Sequence, residues 1–171
     1  MPREPPNNLA SADQYLITVG KLTGNAALTD VVLFSTFKVL ASCRQEVGQA
    51  IYYALDSVPA KSRLTRRVAE AVGDSQDRAI VDEIIKAVEA AHAPRNELAH
   101  ALLTATAGAD GDPGKPWHRV SLKAMKQATR PVTVAYLKAL MEASGDAVRT
   151  AYAAFERLCE KKGVTADLNI S

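Results

Sequence analysis

The sequence predicts an all-α fold, an antiparallel bundle of four to five helices. Three observations predict it. Apolar residues recur at steps of three, four or seven along most of the chain, which is the period of a helix face. Ser, Thr or Asp precede these stretches and Gly, Asn or Pro come after them, as helix caps and stops require. Outside residues 117–127, no alternation of apolar and polar positions is long enough to build a sheet.

Residues 1–10 are rich in Pro and Asn and read as a flexible tail. Ser11 or Asp13 can cap a short helix over 14–22, which stops near Gly24 and Asn25. Thr29 or Asp30 then caps a long helix whose apolar stripe is Leu33, Phe37, Leu40, Val47, Ile51 and Leu55. Arg44 fills the missing step of that stripe. It reads as a buried ion-pair partner, for Glu46 of another chain or for Glu83 or Glu97, or as support for an active site. Ser57 caps the next helix, with Pro59 in its first turn, and Gly73 closes it. Its outer face is basic: Lys61, Arg63, Arg66 and Arg67. Such a run is either a solvated helix face or, through Arg66 and Arg67, a phosphate or RNA contact.

A further helix begins at Asp74 or Ser75, turns Ile80, Ile84, Ile85 and Val88 inward, and resumes with Leu98 and Leu102. The Gly-, Asp- and Pro-rich stretch 107–116 is a loop, part of a broader loop over 105–118. Residues 117–127 read either as a short strand pair or as a helix from Ser121. Thr129 and Pro131 suit the start of the last helix, which buries Val134, Leu137, Leu140, Met141, Ala147, Ala151, Phe155 and Leu158 and is free to kink at Ser144 and Gly145. A single domain spans 11–165, with a tail over 166–171.

Composition narrows the function classes. At 171 residues, 47% hydrophobic and 23% charged, the chain is globular and large enough for a core of its own. A net charge of +2 does not by itself argue for nucleic acid. Cys43 and Cys159 sit in helical patterns without CxxC spacing and read as buried hydrophobes of a reducing compartment. No apolar run approaches the ~20 residues of a membrane helix. The N-terminus MPREPPNNLA lacks the apolar core of a signal peptide. The expectation is a cytoplasmic protein with no membrane contact, no cofactor and no metal.

The stretch HAPRNELAH, His92 to His100, is the candidate site. Pro94 removes a helical hydrogen bond and clashes with the carbonyl of Ala90, at a cost of ~3 kcal/mol unless the chain bends or restarts. The expectation is therefore a break or kink at Pro94, with Arg95 and Asn96 in the first turn after it. Asn96 and His100, four apart, share a face there. A restarted N-terminus draws anions. Arg95, Asn96 and His100 then rim one surface with a cation, a neutral hydrogen bonder and a base. The bland alternative is a helix-end cluster bonding loop carbonyls. His92 reads as a local cap or surface residue, and His118 as structural or exposed.

Arg95-Asn96-Glu97-Leu98-Ala99-His100 resembles the R-x4-H motif of HEPN domains, small all-helical domains that are frequently dimeric, many of them metal-independent ribonucleases. The likeness extends over roughly residues 30–158 in its order of helices: a long helix, the motif at the start of a helical stretch, a loop and a last long helix. It implies a HEPN-like domain, a homodimer with a site at the dimer interface, and RNA cleavage of a toxin or defence type. His100, whose imidazole has an ordinary pKa near ~6.5, would be acid or base. Arg95 would grip phosphate oxygens, and Asn96 would orient either. Glu97 and Arg44 would support the site. Many members of the family are instead non-catalytic modules that bind nucleotide, RNA or a partner protein. The chain departs from one subgroup: HEPN toxins paired with a nucleotidyltransferase carry a tyrosine where this sequence has Leu102, so regulation by modifying that tyrosine is not implied.

Overall fold

The computed structural model describes residues 10–99, 101–105, 117–121, 129–166 and 168. Five helices make up the bundle: α1 (Ala12–Ala41), α2 (Gln45–Tyr52), α3 (Val58–Val72), α4 (Ser75–Ala99) and α5 (Val134–Lys162). Between α4 and α5 lies a short antiparallel ribbon of β1 (Ala101–Ala105), β2 (Trp117–Ser121) and β3 (Thr129–Pro131), with Leu103 opposite Arg119 and Arg119 opposite Arg130. Of the two readings of 117–127, the strand holds at 117–121; the remainder, like the loop 107–116 and His100, lies outside the described residues.

The three long helices α1, α4 and α5 pack on one another, and α3 lies across α1 and α4. Tyr15 and Leu22 near the start of α1 cluster with Leu98 at the end of α4 and Leu137 at the start of α5. So α4 runs antiparallel to α1 and α5, which are parallel to each other. The larger core gathers Leu33, Phe37, Ile84, Val88, Phe155 and Leu158 at the other end of the bundle.

Several boundaries differ from expectation. The helix that begins at Ser11, closed there by a reciprocal cap with Gln14, does not stop at Gly24 and Asn25. Tyr15, Thr18, Leu22, Ala26, Thr29 and Leu33 are buried at steps of three and four straight across that point. Asn25 is held by a hydrogen bond from its Nδ2 to Ser144 Oγ, 3.3 Å. A continuous buried stripe outweighs the ~1 kcal/mol that one glycine costs. The joined helix is, by length and composition, long and apolar enough to cross a membrane, a property hidden when the stretch is divided. Its inner face is occupied by the core.

The expected continuous helix from 29 to 55 breaks instead at Ser42, which adopts the left-handed conformation with φ 47°. Arg44 becomes the N-cap of α2 and is exposed. A straight helix would have buried its guanidinium on the stripe, which is costly without a partner. The break rephases the residues of α2: Gly48 and Tyr52 turn inward, while Val47 and Ile51 are 41% and 47% exposed. Gly48 suits this packing, because a Cβ there would stand 3.2 Å from Cys43 Sγ and 3.6 Å from Phe34 Cε2.

At the other end, α5 is capped by Thr133, whose hydroxyl accepts from the amide of Tyr136 at 3.1 Å. Pro131 belongs to β3, two residues before that cap. The helix runs through Ser144 and Gly145, with Ser144 buried. Ser57 caps α3 and Pro59 lies in its first turn, as expected.

Candidate functional site

Helix α4 continues through Pro94 and ends at Ala99, so the motif occupies its last turns and does not open a new helix. Pro94 is buried beside Ala91 and Leu98 on the inner face. Its ring supplies no amide to the Ala90 carbonyl, yet the packing of that face on α1 and α5 carries the helix across. Leu98 has only one more helical residue after it, and its carbonyl, orphaned by the helix end, accepts the hydroxyl of Tyr15 at 2.7 Å.

Next to that inner face, Glu89, His92, Ala93 and Asn96 fall at i, i+3, i+4 and i+7 and form one wall of a cavity of about 550 Å³. Thr23, Ala26, Ala27 and Asp30 of α1 form the opposite wall at the same spacing. Val58 and Pro59, the first turn of α3, close it, and Arg95 joins from α4. Two regular helical stripes, with Arg95 beside them, thus bring four ionisable side chains together: Asp30, Glu89, His92 and Arg95.

Within the cavity, His92 Nε2 lies 3.1 Å from Asp30 Oδ1, a link between helices whose residues are 62 apart in sequence. The imidazole keeps 17% of its surface exposed. Arg95 donates from Nη1 to Asn96 Oδ1 at 3.0 Å. The adjacent pair therefore presents a guanidinium fork already turned toward its neighbour's amide. Glu97 faces elsewhere: its Oε1 accepts the Tyr136 hydroxyl at 2.7 Å. Tyr15 and Tyr136 thus tie both sides of the α4 terminus to the rest of the fold.

Of the residues singled out in the sequence, the fold brings Arg95 and Asn96 together, while His100 lies outside the described residues. Arg44 and Glu97 do not line the cavity, nor do Arg66 and Arg67. Arg66 pairs through Nε with Asp82 Oδ1 at 2.9 Å, both side chains being about half exposed. Asp82 is ten residues from His92, roughly 15 Å along α4 at 1.5 Å per residue. Arg67 is exposed on the same helix as Arg66. Sequence reasoning passed over His92 as a cap or surface residue and missed Asp30 and Glu89. The polar spacing of Glu89, His92 and Asn96 was the available signal. Among the described residues, no group of three His, Cys, Asp or Glu side chains is placed to hold a metal ion.

No family model, curated protein or solved structure matches the chain. A guanidinium beside a primary amide suits an oxyanion such as a phosphate. Two carboxylates in the same cavity suit N–H donors, and they oppose a bare polyanion.

Proposed function

We propose that this protein is a HEPN-like protein acting on RNA, a metal-independent endoribonuclease of toxin or defence type that works as a homodimer. One observation supports this function more than any other: Arg95 and Asn96 of the R-x4-H stretch stand side by side in a cavity that also holds an imidazole. Arg95 holds a phosphate oxygen and offsets the charge of the phosphorane, and Asn96 orients it. His100 supplies acid or base chemistry. The products end in a 2′,3′-cyclic phosphate, because the neighbouring hydroxyl is the nucleophile.

A non-catalytic module that binds nucleotide, RNA or a partner protein is the second reading. The motif's place at the end of a continuous helix, together with the carboxylates Asp30 and Glu89, favours it. Incubation of purified protein with single-stranded RNA in the presence of a chelator separates the two. Cleavage that is lost in Arg95→Ala and in His100→Ala is the expected result. Arg95→Ala should leave the fold intact, because Arg95 is only partly buried, whereas Leu98→Ala, in the core, should cost ~2–5 kcal/mol. Sedimentation at tens of micromolar should show a dimer. Intact RNA after prolonged incubation would move the assignment to the binding module.

A further inference from the structure

We infer that His92 is the proton acceptor of this reaction and that Asp30 is its positioning residue. The inference rests on the proposed ribonuclease function. His92 lies outside the R-x4-H stretch, three residues before Arg95 and therefore on a neighbouring face of the same helical turn.

The geometry that points to it has three parts. First, the imidazole and Arg95 line the same cavity, three residues apart on α4. Second, Nε2 is committed to Asp30 at 3.1 Å. With the proton on Nε2 and donated to the carboxylate, Nδ1 carries the lone pair, and no described residue hydrogen-bonds to it. Third, stability does not require such a pair. A buried couple that includes a charge, set between two packed helices, is commonly matched by apolar side chains of similar volume, and the adjoining inner face of α4, with Ala91, Pro94 and Leu98, is already packed.

Among the described residues that line the cavity, the charged groups are Asp30 from α1 and Glu89 and Arg95 from α4, and α3 contributes Val58 and Pro59. In the reaction, Nδ1 takes the proton of the ribose 2′-hydroxyl as that oxygen bonds to phosphorus. The bond from phosphorus to the 5′-oxygen breaks, and the departing oxygen takes a proton from His100, which is left as the acid of the proposed function. A 2′,3′-cyclic phosphate and a 5′-hydroxyl result, with no change of oxidation state. Asp30 fixes the ring and stabilises the imidazolium as it forms. The acceptor and the phosphate-binding cation then come from one chain.

The test is the pH profile of kcat/KM on a short single-stranded RNA for the wild type, His92→Gln, Asp30→Asn and Arg95→Ala, with thermal melting of each. His92→Gln should lower kcat/KM by ~10²–10⁴-fold and abolish its acidic limb. Asp30→Asn should retain part of the activity, lowering kcat with KM nearly unchanged, since the ring loses its positioning partner and not a substrate contact. A purely structural tie between α1 and α4 would change the melting temperature and leave the limb in place. If His92→Gln does not fold, the folded Asp30→Asn decides alone: a fall in kcat at unchanged KM supports the inference, and wild-type kcat overturns it. A His92→Gln enzyme with wild-type kcat/KM, beside an inert Arg95→Ala, overturns this inference and leaves the ribonuclease function standing. An inert wild type overturns both.

Discussion

Tyr52 is fully buried, and among the described residues its hydroxyl has no hydrogen-bond partner. Its ring packs 5.2 Å from Phe34 and 5.6 Å from Phe37, and Lys61 Nζ sits 5.2 Å from its centroid. Burial, reinforced by the negative charge of Asp30 and by Tyr53, pushes the phenol well above its ordinary range, so it stays neutral. The ring does the packing and the hydroxyl bears a desolvation cost. Tyr52→Phe is therefore expected to stabilise the protein by about 1 kcal/mol, read as a higher urea midpoint at unchanged slope. At this scale the sequence revealed what neighbours in the chain determine. Arg95 and Asn96 were legible because adjacent residues on a helix stay adjacent in space. His92 was not, because its meaning depends on Asp30, which only the packing of α1 on α4 brings near.

The elements were legible where local chemistry decides and obscure where packing overrides it. Ser57 with Pro59 marked α3, and the apolar steps of α5 marked its buried face. The division of α1 at Gly24 and the restart at Pro94 both failed for one reason. Each is a local penalty of ~1–3 kcal/mol, outweighed by a buried stripe that runs past it. β1 was unreadable because Ala101, Leu102 and Leu103 continue an apolar run that a helix suits equally well. The ends of α4 and α5 carry a lock that also escaped notice. Asp77, 1% exposed in its side chain, lies 2.8 Å from Lys161 Nζ and 2.6 Å from Lys162 Nζ. Burial pushes its carboxyl up, but the hydrogen bonds from the two lysines, with the amide of Asp74, outweigh that and hold it at about 2. A carboxylate lowered on folding contributes stability above its unfolded pKa and loses it as pH falls through the folded one. The melting temperature should thus drop between pH ~4 and about 2. Asp77→Asn should flatten that dependence and cost about 1–2 kcal/mol at neutral pH, a range discounted for the partly exposed lysines.

In the whole molecule, α5 completes both cores: Leu137 joins Tyr15, Leu22 and Leu98, while Phe155 and Leu158 join Leu33 and Ile84. A chain ending before residue 134 should therefore lack a cooperative melting transition by circular dichroism, even though α1, α3 and α4 keep their sequences. The all-α architecture was legible because apolar periodicity survives any error in element boundaries. Which helices run parallel was not, since that depends on pairings across the length of the chain. Asn25 and Ser144, which meet between α1 and α5, are 119 residues apart. During synthesis at ~5–20 residues per second, roughly 6–24 s separate their emergence from the ribosome. Through that interval the apolar stripe of α1 has no α5 to cover it. The nascent chain then carries an uncovered apolar face, and a pause in translation before the codons of α5 would lengthen its exposure to aggregation.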